Sequence, residues 1–472
     1  MAVELQQVHS VNPATEEHIG AYPVHSEREV DGFLDAAATL APVWRATTIE
    51  ARCAVVNRVG ELLLERRDML AALITTEMGK TLAEARAEVE KCAFSCAWFA
   101  AHAAEFLADE SFPSDSQRSF VAFEPLGIVF AGMPWNFPLW QVFRFAAPGL
   151  CAGNCAVLKH ASNVSGCALA IGELFEDAGC PRGVFTVLLI PNDRVAAVIE
   201  DGRIAAVTLT GSTAAGRSVG AAAGRSLKRA VLELGGSDAF IVLEDADLEA
   251  AAVTAAKARF QNAGQSCIAA KRFIVCDSVA AEFEDLLVAE AGKVVVGDPL
   301  RDSVTMGPLA RGDLRDTLER QLRESIAAGA TLRCGGGRPD GRGYFITPAV
   351  LTGCSADMPA FVEETFGPLA AVMRVSSADE ALSVANGSVF GLGGNIWTRD
   401  EERAIALARR LDSGGVFING MTHSDPRIPF GGIKESGYGR ELSSFGIREF
   451  VNVKTIWRPT PDDAAGAGTP AE

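Results

Sequence analysis

Short apolar runs alternate with amphipathic helical patterns along most of this chain. Five runs form a first series: Gly127–Ala131, Ala156–Lys159, Phe185–Leu189, Ala205–Leu209 and Ala230–Leu232. Five more form a second: Phe240–Leu243, Phe273–Cys276, Ala371–Val375, Gly393–Trp397 and Val416–Ile418. Strand–helix alternation predicts parallel sheets covered by helices on both faces. The sequence therefore predicts an α/β fold with two doubly wound, Rossmann-type lobes.

The two series set the expected organisation of the chain. At 472 residues it is too long for one ordinary core, and we expect a first lobe at 1–232, a second at 233–421 and a return segment at 422–458. Residues from Glu27 to about Leu107 have the helical period, with a capping box at Thr81–Glu84. The tail 459–472 has no core former, so we expect it to be disordered.

Charge and composition exclude several classes of protein. A net charge of −17 argues against binding nucleic acid or an anionic membrane by bulk attraction. The first residues lack the pattern of a secretory signal, and prolines and polar residues break the apolar region from Leu126 to Phe143. Eleven scattered cysteines indicate reduced thiols in a cytoplasm. Neither of the two close cysteine pairs has a CxxC or histidine partner, so we predict no metal site.

Three motifs carry groups with complementary chemistry. Cys267 ends the stretch Phe260-Gln261-Asn262-Ala263-Gly264-Gln265-Ser266-Cys267, in which Gly264 allows a tight turn. Glu233 follows an apolar strand and precedes two glycines, where partial burial would raise its pKa. Asn136 stands between Pro134 and Pro138. A thiol nucleophile, a carboxylate base and an amide donor are the groups needed to oxidise an aldehyde through a thioester.

These motifs and their order resemble the aldehyde dehydrogenase superfamily, roughly from Asn12 to Trp457. Three further segments look like its bacterial succinate-semialdehyde dehydrogenase branch: Trp135–Arg144, Lys159–Val164 and Phe417–Thr422. The resemblance implies an aldehyde dehydrogenase-like fold, with a cofactor-binding domain at 1–232 and a catalytic domain at 233–421. It also implies that Ser119–Glu124 and Glu449–Trp457 form a small oligomerisation sheet. The residues alone leave edge strands on one lobe equally open.

The resemblance assigns a role to each catalytic group. Cys267 is the nucleophile, Asn136 and the Cys267 N–H stabilise the oxyanion, and Glu233 activates the water that hydrolyses the thioester. Relatives that pass the acyl group to coenzyme A lack this carboxylate, so a free acid is the expected product.

The resemblance also implies a dinucleotide cofactor. Expected cofactor-binding residues are Pro134, Trp135, Lys159, Ser162, Gly211, Ser212, Leu234, Glu364 and Phe366. NAD-preferring relatives usually carry Glu at the position of Ser162. A small neutral residue there removes repulsion against a 2′-phosphate, with which Lys159 can pair. NADP is therefore favoured over NAD.

The expected substrate is succinate semialdehyde, a small aldehyde with a distal carboxylate. The expected substrate-binding residues are Phe137, Arg144, Ser424 and Arg427. Arg144 stands where this branch carries arginine, a natural fork for a carboxylate. Gln261 stands where some of these enzymes carry a second arginine, so another semialdehyde or an aliphatic aldehyde is the alternative substrate. A homodimer or homotetramer is the expected assembly.

Overall fold

We describe a computed structural model over residues 6–114 and 118–459. Two antiparallel strands and four helices come first: β1 (Gln7–Val11), β2 (His18–Pro23), α1 (Glu27–Ala46), α2 (Ile49–Glu65), α3 (Arg67–Met78) and α4 (Leu82–Phe106). The region predicted as helical is thus four helices, with α3 ended by left-handed Gly79. The predicted capping box is confirmed, because Thr81 and Glu84 cap α4 reciprocally.

The first lobe is built on a six-stranded sheet. Two strands of another sheet, β3 (Glu110–Ser111) and β4 (Arg118–Pro125), come before it. Its own elements are β5 (Ile128–Met133), α5 (Trp140–Cys151), β6 (Cys155–His160), α6 (Ser165–Asp177), β7 (Phe185–Val187), α7 (Val195–Glu200), β8 (Ile204–Thr210), α8 (Thr213–Arg225) and β9 (Arg229–Glu233). Strands β9, β8, β5, β6 and β7 are parallel in that order. The carboxyl ends of these strands therefore lie at one edge, where ligands bind in such sheets.

The second lobe is built on a seven-stranded sheet. Its elements are β10 (Asp238–Val242), α9 (Leu248–Phe260), β11 (Ala270–Cys276), α10 (Asp277–Ala291), α11 (Gly312–Ala327), β12 (Thr331–Cys334), β13 (Ala349–Thr352), α12 (Pro359–Val362), β14 (Leu369–Val375), α13 (Ala378–Asn386), β15 (Phe390–Gly391), β16 (Gly393–Trp397), α14 (Glu401–Ala408) and β17 (Gly415–Ile418). The strand order is β12-β13-β14-β11-β10-β16-β17, and only β12 is antiparallel. The predicted pair of doubly wound lobes is confirmed.

The last described elements return the chain to the first lobe. They are β18 (Ile433–Lys434), β19 (Gly437–Tyr438), α15 (Ser443–Arg448) and β20 (Val451–Arg458). Strand β19 adds an antiparallel edge to β9, pairing Gly437 with Glu233. Strands β20, β4 and β3 form a separate three-stranded sheet, so β4 and β20 are not edge strands of either lobe's sheet.

Burial follows the two lobes. One apolar cluster packs the helices around the six-stranded sheet, and a second packs those around the seven-stranded sheet. None of the described helices is both long and apolar enough to cross a bilayer. The predicted disordered tail lies outside the described residues, apart from Pro459.

Candidate active site

Cys267 lies on a loop with an unusual backbone between α9 and β11. Three successive residues, Asn262, Ala263 and Gly264, have positive φ angles of 54°, 52° and 72°. At Gly264 a Cβ would collide with the carbonyl oxygen of Gly367. Glycine is therefore required there, which explains its place three residues before the cysteine.

Two buried cations hold this loop in place. Arg259 donates to the carbonyl oxygens of Gly264 and Thr365, at 3.0 and 3.2 Å, and to that of Gly367. Lys271 Nζ donates to the carbonyl oxygens of Ser266 and Cys267, at 3.0 and 2.8 Å. These bonds satisfy loop carbonyls that lack a strand or helix partner. The thiol therefore projects from a rigid loop.

The Cys267 side chain is half-buried and lines two cavities. Desolvation raises the pKa of its thiol to about 11, although the Arg144 and Lys271 charges act in the opposite direction. The group is consequently a thiol near neutral pH, and a base must remove its proton before it attacks.

The Asn136 amide is fixed by its neighbours. Its Nδ2 donates to the Gln265 carbonyl oxygen at 3.1 Å, and its own backbone carbonyl accepts from Asn262 Nδ2 at 2.9 Å. His160 Nε2 donates to the Pro138 carbonyl oxygen at 2.7 Å, and burial lowers the pKa of His160 to about 4. A neutral histidine thus ties the end of β6 to the Asn136 loop. One Nδ2 hydrogen of Asn136 is left for a ligand.

Glu233 ends β9 in a buried charge cluster. Its side chain is 2% exposed, and no described side chain donates a hydrogen bond to its carboxylate, although the nearby Gly432 N–H acts to lower its pKa. Desolvation and, secondarily, the Glu441 carboxylate raise its pKa well above the ordinary value, whereas Arg144 lowers it. Desolvation also raises the pKa of Glu441, whose carboxylate lies 2.7 Å from Arg144 Nε. A carboxylate with a raised pKa and open lone pairs suits a general base.

One cavity, of about 240 Å³, opens from Cys267 between α4, α5 and the loop after β17. Of the substrate-binding predictions, Phe137, Arg144 and Ser424 line it, as does Gln261. Arg427 is not among the described residues that line this cavity. Its guanidinium is 58% exposed and pairs with Asp425 at 2.6 Å. The placement gives no support to the prediction that Arg427 holds the substrate.

The second cavity, of about 260 Å³, lies on the other side of Cys267. Several residues predicted to bind the cofactor line it: Pro134, Trp135, Gly211, Ser212, Leu234, Glu364 and Phe366. Glu364 Oε1 accepts from the Gly236 N–H and from Lys271 Nζ, at 3.0 and 3.1 Å. Its other oxygen remains available to a ligand hydroxyl.

A groove of about 850 Å³ continues from this cavity over the carboxyl edge of the first sheet. Lys159 and Ser162 line it, and Gly211 and Ser212 line both spaces. Ser212 caps α8, its Oγ accepting from the Ala215 N–H at 3.2 Å. The helix start offers N–H donors to a phosphate, and Lys159 adds a cation. This donor set fits a dinucleotide.

A family model described as "Aldehyde dehydrogenase family" matches residues 2–456. The chain belongs to the aldehyde dehydrogenase family. It is 50% identical over 448 residues to a "Probable succinate-semialdehyde dehydrogenase [NADP(+)]" of Synechocystis sp., covering 95% of this chain and 99% of that one.

Two further relatives point the same way. A "Succinate semialdehyde dehydrogenase [NAD(P)+]" of Escherichia coli is 48% identical, with 95% of this chain and 97% of that one covered. The crystal structure of succinic semialdehyde dehydrogenase from Streptococcus pyogenes in complex with NADP+ matches with a TM-score of 0.94 and 38% identity, covering 96% of this chain and all of that one.

Sequence reasoning missed several members of this aldehyde dehydrogenase site. They are Lys91 and Trp140 in the first cavity, Glu441 beside Glu233, Lys271 behind Cys267, and Arg311 over the Trp135 ring. Lys91 and Trp140 lie on α4 and α5. The helical period indicates which face of a helix is buried, but not which residues of that face line a cavity. Nothing in the stretch Gly439-Arg440-Glu441 indicated that Glu441 would lie beside Glu233 at the end of β9.

Proposed function

We propose that this protein oxidises succinate semialdehyde to succinate with NADP or NAD. The observation that carries the proposal is the position of Cys267, a thiol at the junction of two cavities. One cavity fits a small aldehyde and the other continues into a dinucleotide groove. The names of the relatives in Synechocystis and E. coli support the same substrate.

The acylation half-reaction begins at the thiol. The Cys267 thiol loses its proton to a water molecule, and the Arg144 and Lys271 charges favour the thiolate that forms. The thiolate sulfur adds to the aldehyde carbon. The free Nδ2 hydrogen of Asn136 and the Cys267 N–H stabilise the resulting oxyanion. A nicotinamide held beside Leu234, Glu364 and Phe366 would supply the acceptor for the hydride of that carbon, and Cys267 would then carry the acyl group as a thioester.

Hydrolysis of the thioester completes the cycle. Glu233 removes a proton from water, the hydroxide attacks the acyl carbon, and the Cys267 sulfur leaves with its electron pair. Succinate is released and the thiol is regenerated. The open lone pairs of Glu233 support this role, because no described side chain competes for them.

The groove supports NADP as the preferred cofactor. Ser162 is exposed in it and carries no charge, so a 2′-phosphate meets no repulsion there. Lys159 Nζ, held by Asn192 Oδ1 at 2.5 Å, is the nearby cation for that phosphate. Leu234, Trp135 and Phe366 supply the apolar surface around the nicotinamide end.

The assembly and location are part of the same proposal. The three-stranded sheet and α15 expose Phe112, Phe445, Val453 and Trp457, each more than half accessible. An apolar surface of this kind suits pairing with a second copy in a homodimer or homotetramer. All eleven cysteines are free thiols, which suits the cytoplasm.

An aldehyde panel run with each cofactor tests the proposal. We expect kcat/KM for succinate semialdehyde to exceed that for butanal by at least about tenfold, since butanal has the same chain length without the carboxylate. We expect NADP to be used better than NAD. A preference for butanal would favour the alternative aliphatic substrate, and no formation of reduced cofactor with any aldehyde would remove the activity.

A further inference from the structure

The cations around the substrate cavity differ in whether they already have a carboxylate partner. Arg144 lines the cavity, but its Nε lies 2.7 Å from Glu441 Oε2 and its Nη2 donates to Thr210 Oγ1 at 3.1 Å. The charge of this guanidinium is therefore already paired with a buried carboxylate, and part of its donor set is used within the protein.

The other neighbouring cations are also paired. Lys80 Nζ contacts Glu88 Oε2 at 2.5 Å, while Glu88 Oε1 accepts the Leu139 and Trp140 N–H groups at the start of α5. Arg427 is bound to Asp425. The positive charge of each is therefore already compensated.

Lys91 is the exception. It lies on α4 and lines the cavity, and no described carboxylate lies within 4.0 Å of its Nζ. Its Nζ donates to Ser424 Oγ at 3.0 Å and lies 4.2 Å from the centre of the Trp140 ring. The ammonium is thus held at the cavity wall by a hydroxyl and an aromatic face, with no described carboxylate at ion-pair distance.

Ser424 adds a second donor at the same place. Its Oγ accepts from Lys91 Nζ at 3.0 Å and from Trp140 Nε1 at 2.9 Å, and both of these groups can only donate. With two acceptor positions used, the hydroxyl hydrogen is left to donate to a ligand. Lys91 and Ser424 together therefore offer one cation and at least two donor hydrogens.

We propose that Lys91 is the cation that binds the distal carboxylate of the substrate, with Ser424 as the second donor. This inference rests on the proposed function, since it names the group that reads the semialdehyde's acid end. It assigns Arg144 to the Glu233–Glu441 cluster instead. It also accounts for Gln261 in the same wall, because a second arginine is not needed when a lysine enters from α4.

The charge environment of Lys91 predicts a pH signature. Burial and, secondarily, Arg144 of α5 lower the pKa of Lys91 to about 8, whereas Cys92 and Glu88 of α4 and Asp425 of the loop after β17 raise it. Above pH 8 the free enzyme loses the cation. The kcat/KM for succinate semialdehyde should then fall up to tenfold per pH unit relative to that for butanal.

The test compares Lys91→Met with Lys91→Arg in the full-length enzyme. Methionine keeps the length and removes the charge, so we expect a loss of roughly 10- to 100-fold in kcat/KM for succinate semialdehyde, carried mainly by KM. Butanal should change by less than about threefold. Lys91→Arg should retain most of the acid preference and lose the fall above pH 8. Lys293→Met, at a side chain 68% exposed on the other lobe, is the matched control and should behave as wild type.

The outcomes separate this inference from the proposed function. Equal losses on both aldehydes, or no loss on either, would overturn the role of Lys91 while a wild-type preference for the acid substrate still stood. A wild-type enzyme without that preference would overturn the proposed substrate first. If Lys91→Met does not fold, Lys91→Gln and the wild-type pH profile decide the question. A ratio of acid to butanal kcat/KM that stays flat above pH 8 would count against Lys91.

Discussion

The two cavities that meet at Cys267 are built from different parts of the fold. The cavity proposed for the cofactor is lined by loops that follow parallel strands: Trp135 after β5, Gly211 after β8 and Leu234 after β9. The cavity proposed for the substrate is lined by faces of α4 and α5 together with a loop after β17. Strand-end loops place their residues at a shared sheet edge through local sequence. Helix faces bring their residues together only through packing. Substitutions on these faces can therefore alter the substrate cavity without changing the motifs around Cys267.

Replacing Cys267 should break both sides at once. Cys267→Ser should reduce oxidation of every aldehyde by at least about 1000-fold, because a serine hydroxyl is far less ionised than a thiol. His423, which lines the substrate cavity, is exposed and has its Nδ1 against the Met421 carbonyl oxygen, so it is not placed as an activating base. Cofactor binding, followed by fluorescence titration, should stay within about twofold. Cys334→Ser, at the other half-buried cysteine, is the control and should retain activity. More than a few per cent residual activity in Cys267→Ser would remove the thiol from the nucleophile role.

Glu233→Gln should separate acylation of Cys267 from hydrolysis of the thioester. The amide cannot accept a proton from water, so deacylation should slow by about 100- to 10,000-fold. Rapid mixing should show a burst of reduced cofactor near one equivalent per site, followed by slow turnover. A mutant with no burst would mean that Glu233 must first deprotonate Cys267, whose pKa is itself raised to about 11.

The Arg144–Glu441 pair should set the acid limb of the pH profile. The raised pKa of Glu233 means that the base is protonated, and its activity lost, as pH falls through that value. Arg144→Leu removes a charge that lowers this pKa, so the limb should move to higher pH and kcat measured on that limb should fall. Glu441→Gln removes a like charge and should move the limb downward.

A comparison of two substrates tests whether Arg144 binds the substrate carboxylate or belongs to the Glu233 cluster. If it belongs to the Glu233 cluster, Arg144→Leu should affect succinate semialdehyde and butanal equally. A loss confined to the semialdehyde would restore Arg144 as the carboxylate fork and weaken the case for Lys91. Steady-state kinetics with both aldehydes across pH separate the two.

The fold was largely predictable from sequence because buried parallel strands appear as short apolar runs. The runs at Gly127–Ala131 and Phe273–Cys276 fall on β5 and β11, for example. Two kinds of strand could not be predicted: strands with a weak apolar pattern, and strands that depend on pairing with a distant part of the chain. Strands β12 and β13 carry weak patterns, and β19 is only two residues long and exists because it pairs with Glu233 and Leu232.

The candidate site divides in the same way. Cys267 and Glu233 sit in motifs in which Gly264 and Gly236 lie too close to backbone carbonyl oxygens to carry a Cβ. The structure brings Cys267 and Asn136 to a shared cavity wall. Lys91 could not be chosen because a lysine on a helix is usually solvated, and only packing of α4 against α5 buries it. Arg427 was close to Ser424 in sequence, yet a turn held by Asp425 directs its side chain away.

The smallest expected effect concerns the far end of the cofactor groove. Ser162 is exposed in that groove near Lys159, so Ser162→Glu places a carboxylate where a 2′-phosphate is expected. Repulsion between them should lower the NADP/NAD ratio of kcat/KM by about 10-fold, while the new carboxylate can accept from the ribose hydroxyls of NAD. Because the change leaves the walls around Cys267 untouched, kcat at saturating NAD and the preference among aldehydes should stay as in wild type. Ser162→Ala, which adds no charge, is the control and should keep the NADP preference. An unchanged ratio in Ser162→Glu would mean that this loop does not contact the adenosine ribose, and Lys159 alone would then be the residue to test.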